Sequence, residues 1–146
     1  MISARDVAQY FLALAYDNND SAGELISNLK LQKLLYYAQG LYLALRDRPL
    51  FAESIESWIH GPAIPEIYDR YKQYGSGSLP FPENFDYTKF EDEIKEVLEE
   101  VYEVYGQFSA WKLRNLTSNE PPFKNTPTGS EISLDSLQQY FKTQLV

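Results

Sequence analysis

The sequence has no cysteine and only one histidine, His60. Without cysteine the chain can form neither disulfides nor thiolate metal sites, and a cytoplasmic location is favoured. A zinc site would have to take nearly all of its ligands from carboxylates, which is unusual for zinc. We therefore expect no metal site.

Long apolar runs are also absent. No stretch approaches the roughly 18 apolar residues that a membrane-spanning helix needs. The N-terminal segment has a short apolar run, but Asp6 and Asp17 flank or interrupt it, and the basic region and small-residue cleavage site of a signal peptide are missing. These features predict a cytoplasmic protein without a membrane partner.

Basic residues are scarce, with 13 lysines and arginines against 21 acids and a formal net charge of −8. Proteins that bind the phosphate backbone need a surplus of Lys and Arg to release counterions. The helical segments 28–48 and 63–74 are also separated by too many residues for a helix-turn-helix, whose turn has three or four. A protein partner is therefore favoured over nucleic acid, and a basic partner fits the acidic charge.

Sequence motifs of common enzymes are missing: there is no P-loop, no HExxH, no GxSxG and no GxGxxG after a strand. As a general base, His60 would need an orienting acid and a nearby nucleophile. Glu56 and Ser57 are close in sequence, but their spacing matches no known arrangement. We expect His60 to cap or pack beneath the Gly61-Pro62 corner, and we predict a protein that is not an enzyme and needs no cofactor.

Apolar and aromatic residues are plentiful, at 44% and 15%, as in globular proteins. A chain of 146 residues fits one domain, residues 1–146, that can bury a sizeable core. Helical apolar spacing recurs along most of the chain, whereas residues 50–60 alternate weakly. The sequence predicts a mainly α, compact single-domain bundle of five or six helices and allows a short β-ribbon near residues 50–60.

Several residues predict where these helices begin and end. Ser3, Ser27 and Ser133 are suitable N-caps, and Pro49 should end the second helix near Arg48. The run 18–24 breaks the first helix, and residues 75–86 and 117–129 read as irregular connections. Further boundary signals are a corner at Gly61-Pro62, a helix from about Ala63 with Pro65 in its first turn, a capping box from Thr88 to Glu91, and Gly106 at a helix end.

The predicted helix 28–48 is apolar on two opposite faces, which is typical of a central, buried helix. Lys33 lies within one of those faces, beside Tyr36 and Tyr37. Its stem could pack on the tyrosines while the amine reaches water. Alternatively, it is a paired, partly buried lysine at a functional surface. The acidic run 91–103, in contrast, is typical of a solvated helix face.

Three segments together resemble the Panacea domain family, which includes SocA-like antitoxins and GepA-like phage-associated proteins. In residues 29–45 the match is Leu-Gln-Lys-Leu-Leu-Tyr-Tyr-Ala-Gln-Gly, from Leu31 to Gly40. In residues 49–71 it comprises Trp58, Gly61, Pro62, Pro65 and Tyr68, with His60 where the family usually has another aromatic residue. In the third segment, residues 105–120 and the positions just after it, Leu116, Thr117, Glu120 and Pro122 match, whereas Ser118 replaces a histidine and Phe123 a tryptophan.

The resemblance implies an antitoxin that neutralises a cognate toxin by direct protein–protein binding. An alternative that it also implies is a proteolytic adaptor that delivers the toxin to a Clp-type protease. On this basis we predict a partner-binding surface formed by Lys33, Tyr36, Tyr37, Trp58, His60, Thr117, Glu120 and Phe123. The residues that we expect to serve the fold are Gln32, Gly40, Gly61, Pro62, Pro65 and Trp111.

Overall fold

The computed structural model describes residues 1–18 and 26–145. The predicted break at residues 18–24 therefore lies largely outside the described residues. The helices are α1 (Ala4–Asn18), α2 (Asn28–Arg46), α3 (Pro65–Tyr71), α4 (Asp92–Tyr105), α5 (Ala110–Ser118), α6 (Pro121–Lys124) and α7 (Leu134–Lys142), and the strands are β1 (Glu56–Trp58) and β2 (Gly61–Ala63). Two short 3-10 turns cover Lys72–Tyr74 and Tyr87–Lys89. The mainly helical fold with a small ribbon is confirmed, and the described part has one or two more helices than predicted.

Helix α2 is the centre of the molecule, as its two apolar faces predicted. Every residue from 30 to 40 is buried, and the helix packs against α1, α3, α4, α5, α7 and β2. Ser27 caps its N-terminus by accepting a hydrogen bond from the Lys30 N–H. Its C-terminus is formed by Asp47, whose φ of 57° is left-handed. The helix therefore ends at Arg46, slightly before the position predicted from Pro49.

Helix α7 packs most extensively on α2. The contact depends on Gly40, because a Cβ at this position would lie 2.2 Å from the Phe141 ring. Such an approach is far shorter than van der Waals contact, so only glycine lets the ring lie on the α2 backbone. Ser133 caps α7 as predicted, accepting from the Ser136 N–H.

The predicted ribbon exists but lies slightly later in the chain, as the antiparallel pair β1 and β2. Its register pairs Trp58 with Gly61, so the turn is formed by Ile59 and His60. The prediction of a corner at Gly61-Pro62 was therefore wrong, since both residues belong to β2. The free edge of β1 is covered by residues 129–132, whose backbone hydrogen-bonds to Ile55 and Ser57. Covering the edge in this way prevents further strand pairing.

Helix α3 begins at Pro65, which occupies its first turn as predicted. A proline is tolerated there because its missing N–H has no partner within the helix. Ile67 and Tyr71 are buried on its inner side, whereas Tyr68 and Tyr74 stay 39% and 38% exposed. The last predicted turn of this helix is a separate 3-10 turn.

The predicted capping box before α4 was wrong. Asp86 accepts hydrogen bonds from both the N–H and the hydroxyl of Thr88, so Thr88 belongs to a preceding 3-10 turn. Glu91 is the N-cap of α4, and the helix begins at Asp92. Its acidic residues, apart from the half-buried Glu93, lie on the exposed side as predicted.

Helix α5 begins directly after Ser109, close to its predicted start. The Ser109 hydroxyl accepts a hydrogen bond from the Lys112 N–H. The segment 117–129 is less irregular than predicted, because α5 continues to Ser118 and α6 follows at Pro121. Glu120 is the N-cap of α6, and Pro121 fits its first turn.

A hydrophobic cluster extends through the described residues from Ala4 on α1 to Phe141 on α7. It joins residues of α1, α2, α3, α4, α5 and α7 around the buried faces of α2. In the described ranges, no helix combines the length and the apolar character that crossing a bilayer would require.

Candidate functional site

Helix α2 and the end of α5 bring most of the predicted site residues together. Lys33, Tyr36 and Tyr37 share one face of α2, because residues three and four apart lie on the same side of a helix. Thr117 and Glu120 follow the same spacing, from the last turn of α5 into the N-cap of α6. The two segments meet, so this part of the prediction describes a real cluster.

Lys33 is only 1% exposed. Its Nζ donates to the backbone carbonyl of Pro62 at 3.3 Å. Burial, together with the smaller effect of the positive charge of Arg114, lowers the pKa of Lys33 to about 7. The interpretation in which the amine reaches water was therefore wrong. The alternative was a paired, partly buried lysine, whereas the side chain is almost completely buried. None of the ion pairs among the described residues includes Lys33.

Glu120, which is half-buried, is the second ionisable group against this face. Its two carboxylate oxygens accept hydrogen bonds from the hydroxyls of Tyr36 and Tyr37, each at 2.9 Å. Tyr140 of α7 donates a third hydrogen bond. Burial raises the pKa of Glu120, and the three hydrogen bonds oppose this increase only in part. The carboxylate raises the pKa of Tyr36 and Tyr37 in turn, after the larger effect of their own burial.

The buried tyrosines have consequences for the predicted binding surface. Tyr36 and Tyr37 are fully buried, and Thr117 is also 0% exposed. Tyr37 stacks face to face on Tyr105, with ring centroids 3.7 Å apart. These side chains hold α2, α5, α6 and α7 together. Because they are buried, they can stabilise a binding surface above them but do not form that surface themselves.

Gln32 connects α2 with the ribbon and α3. Its side-chain oxygen accepts from the Ile64 N–H at 2.7 Å, and its amide donates to Asn28 at 3.0 Å. Asn28 in turn donates to the carbonyl of Tyr68. Because buried amides are costly unless their hydrogen bonds are formed, this chain of bonds fixes the position of α3 against α2. The structural role predicted for Gln32 fits this geometry.

Gly61 has a φ of +115°, a region that side chains strongly disfavour. A Cβ there would lie 2.8 Å from Cε of Lys33 and 3.3 Å from the hydroxyl of Thr117. Both the backbone conformation and the contact therefore require glycine. The close approach of β2 also explains how Pro62 supplies the carbonyl that Lys33 contacts.

A groove of about 290 Å³ lies between α2, the β1–β2 ribbon and α3. Its side-chain walls include Trp58 and Tyr68, whose rings meet edge to face at 5.1 Å. Trp58 also donates its indole N–H to Glu56. The expectation that His60 packs beneath a corner was wrong, because His60 is exposed in the hairpin turn and lines the groove. The lining is completed by Asn28, Leu29, Gln32, Lys33, Gly61, Ala63, Lys72, Gly75 and Ser76.

Two further predicted residues lie away from this groove. Phe123 is half-buried on α6. Trp111 is 63% exposed on α5, with the Arg114 guanidinium 5.0 Å from its ring centroid. Trp111 was expected to serve the fold, but it lies outside the core, because Leu113 and Thr117 occupy the side of α5 that faces inward.

Sequence reasoning missed Tyr140 and Arg114. Tyr140 completes the hydrogen bonds to Glu120, and the positive charge of Arg114 lowers the pKa of Lys33. The one sequence signal that Arg114 lies near α2 was its helical spacing of three residues from Thr117. Nothing in the local sequence indicates that Tyr140, the tyrosine of α7, reaches Glu120.

The arrangement is suited to binding. In the described ranges no three His, Asp or Glu side chains are grouped so that they could hold a metal ion. Glu120 is occupied by its tyrosines, and His60 lies in an exposed turn. What the site offers is a groove with apolar walls and a buried cation at its floor.

Comparisons with known proteins follow the same part of the chain. A family model described as "Antitoxin SocA-like, Panacea domain" matches residues 31–124, which extend from the first turn of α2 to the end of α6. Antitoxin SocA of Caulobacter vibrioides (strain NA1000 / CB15N) is 40% identical over 77 residues. The match covers 51% of this chain but only 37% of that protein's length. No solved structure matches this chain.

Proposed function

This chain belongs to the antitoxin SocA-like family of Panacea-domain proteins, and we propose that it is an antitoxin which neutralises a cognate toxin by binding it directly. The observation that carries the proposal is the extent of the family match. Residues 31–124 include all eight residues of the predicted partner-binding surface. They also include both strands of the ribbon and the whole lining of the groove except Asn28 and Leu29.

The buried contacts support a rigid binding surface. Glu120 and Gln32 use hydrogen bonds to fix α6, α7, α3 and the ribbon against α2. A surface held in this way loses little conformational entropy when a partner binds. Neutralisation by binding also requires no catalytic group, so we propose a protein without enzymatic activity.

We place the contact surface at the hairpin tip and the adjoining groove. Ile59 is 77% exposed at the tip, and Trp58, His60 and Tyr68 lie beside it. Aromatic residues surrounded by apolar surface are common hot spots of protein interfaces. An exposed isoleucine at a hairpin turn serves no packing role, which favours its use in contact with a partner.

The acidic charge of this chain supports a partner whose surface opposite α4 is basic. The net charge is −8, and the outer side of α4 carries exposed acids at Glu96, Glu100 and Glu103. Such a surface attracts a basic protein over several ångströms and accelerates association, with an effect that salt weakens.

The proposal is tested by expressing the protein encoded by the neighbouring gene, first alone and then with this chain. We expect growth arrest in the first strain, recovery in the second, and a complex of the two proteins on gel filtration. Persistent toxicity in the second strain, or recovery without any complex, would contradict neutralisation by direct binding. A neighbour that is harmless alone would remove that pair from consideration as toxin and antitoxin.

A matched pair of variants locates the surface. Ile59→Asp adds a charge at the hairpin tip, whereas Val104→Asp adds the same charge at a 39% exposed position of α4. We expect the first variant to lose rescue of growth and the second to retain it. Equal behaviour of the two variants would place the contact elsewhere.

The same strains separate direct neutralisation from delivery to a Clp-type protease. In direct neutralisation the half-life of the toxin is unchanged by this chain, and rescue persists when the protease is deleted. A half-life that collapses with this chain and recovers in the protease-deficient strain would instead support the adaptor function.

A further inference from the structure

Lys33 is a buried cation whose hydrogen-bonding capacity is largely unused. An ammonium group has three donors, and the contact to the Pro62 carbonyl at 3.3 Å occupies one of them. In the described part of the chain, no carboxylate forms an ion pair with it. A buried charge without a counter-ion is costly, and proteins rarely retain one without a use.

The groups that face Lys33 do not compensate its charge. Arg114 of α5 adds a second positive charge. Lys72 of the 3-10 turn after α3 and His60 of the hairpin line the same groove, and no aspartate or glutamate among the described residues lines it. This is unusual in a chain where acids outnumber bases by 21 to 13. The groove is therefore a local exception to the acidic character of the molecule.

The walls of the groove complete the picture of an anion site of limited size. Leu29, Trp58, Ala63 and Tyr68 supply apolar surface above the lysine. Apolar walls exclude water and strengthen a charge pair formed between them. A volume of about 290 Å³ holds an amino-acid side chain with its adjacent backbone.

From this geometry we propose that the groove receives one aspartate or glutamate side chain of the bound partner protein, whose carboxylate pairs with Lys33. The inference rests on the proposed function, because it identifies what the toxin places in the groove. The toxin would thus combine a basic surface opposite α4 with one acidic residue at the groove.

Proton uptake follows from this pairing. Because the pKa of Lys33 is about 7 in the free protein, a growing fraction of the amine is neutral above that pH. A carboxylate favours the charged amine, so the complex takes up a proton when it forms above pH 7. Its affinity should then fall about tenfold for each pH unit above 7, until the pKa of Lys33 in the complex is reached.

The test uses the full chain and the protein encoded by the neighbouring gene. Titration calorimetry between about pH 6 and about pH 8.5, in two buffers of different ionisation enthalpy, measures both affinity and proton uptake. We expect uptake that approaches one proton per complex at the higher pH. In Lys33→Met the Lys33-linked uptake should disappear and the affinity at the lower pH should fall at least about tenfold. Lys124→Met, at an exposed position of α6 outside the groove, should leave the uptake unchanged.

The outcomes separate this inference from the proposed function. A complex whose affinity and proton uptake are the same in wild type and Lys33→Met would overturn the inference and leave direct binding intact. If the variant does not fold, the wild-type measurement decides alone, since binding without proton uptake is incompatible with the pairing. No complex at any pH would overturn both. Displacement of the partner by micromolar inorganic phosphate would identify a free anion as the occupant and would also overturn the inference.

Discussion

Two ionisable groups, the half-buried Glu120 and the buried Lys33, lie at the same face of α2 and differ in how their hydrogen bonds are satisfied. At Glu120, a carboxylate from the next segment receives three hydrogen bonds from tyrosine hydroxyls. At Lys33, one turn before Tyr36 on α2, the amine has a single backbone acceptor and a positively charged neighbour. Burial moves both pKa values toward the neutral form, upward for Glu120 and downward for Lys33. Only the carboxylate of Glu120 has hydrogen-bond donors around it that counteract the effect of burial on its pKa.

The difference separates a structural centre from a candidate binding centre. A buried charge whose hydrogen bonds are complete fixes the elements that provide them, here α2, α6 and α7. A buried charge with free donors contributes little to the fold and retains its capacity for a ligand. Substitutions at the two centres should therefore affect stability in different ways.

The largest effect is expected at the carboxylate. Glu120→Ala leaves the hydroxyls of Tyr36 and Tyr37, two fully buried residues, without their acceptor. Each unsatisfied buried hydroxyl costs about 1–3 kcal/mol, and we expect the free energy of unfolding to fall by about 4 kcal/mol in total. Urea denaturation at neutral pH measures this change.

Glu103→Ala provides the control, because it removes a glutamate from the exposed side of α4. It should change the free energy of unfolding by less than about 0.5 kcal/mol. If Glu120→Ala were as mild as this control, the tyrosine shell would not hold the elements together, and the contrast between the two centres would fail.

The second effect concerns the pH dependence caused by Lys33. Its pKa is about 7 in the folded protein against 10.5 for an ordinary lysine, so the unfolded chain binds more protons between these values. The free energy of unfolding should therefore rise with pH, by about 3 kcal/mol between pH 7 and pH 9.5. Above pH 10 the tyrosines oppose this trend, because their pKa values are raised in the folded state.

Lys33→Met should remove this rise and leave a protein at least as stable at pH 7, since replacing an unpaired buried charge with an apolar chain of similar length removes a cost. Lys124→Met, at an exposed position of α6, should retain the rise. Denaturant unfolding at several pH values measures both variants. A marked loss of stability in Lys33→Met at pH 7 would mean that the lysine is a structural element after all.

The sequence was sufficient to identify most of the helices and the family pattern, because apolar spacing, caps and the motif from Leu31 to Gly40 are local features, whereas the short helix α6 was missed. The burial of α2 on all sides followed from its two apolar faces. The ribbon was also visible, although its turn was placed at Gly61-Pro62 instead of Ile59-His60. That error arose because Gly-Pro usually marks turns, whereas here the glycine is needed for its approach to Lys33.

The character of the candidate site could not be derived in the same way. Residues spaced by three and four indicate a shared helix face, but they do not tell whether that face meets solvent or another helix. Tyr36 and Tyr37 therefore looked suitable for partner binding, and only the packing of α5, α6 and α7 shows them buried. Trp111 illustrates the opposite error, since an apolar residue on a short helix is 63% exposed.

The smallest effect tests whether each tyrosine hydrogen bond to Glu120 contributes separately to stability. Tyr140→Phe removes one donor of three, which should lower the free energy of unfolding by about 1 kcal/mol at neutral pH. Because this hydrogen bond favours the ionised carboxylate, its loss should also raise the pKa of Glu120, as followed by carboxyl-carbon NMR. The stability difference should shrink as the pH falls through that pKa, since the protonated acid benefits less from the donor. Tyr74→Phe, at a 38% exposed tyrosine, should change neither quantity. If Tyr140→Phe leaves the Glu120 titration unchanged, the carboxylate is held by Tyr36 and Tyr37 alone, and α7 is attached to α2 through apolar contacts such as that between Phe141 and Gly40.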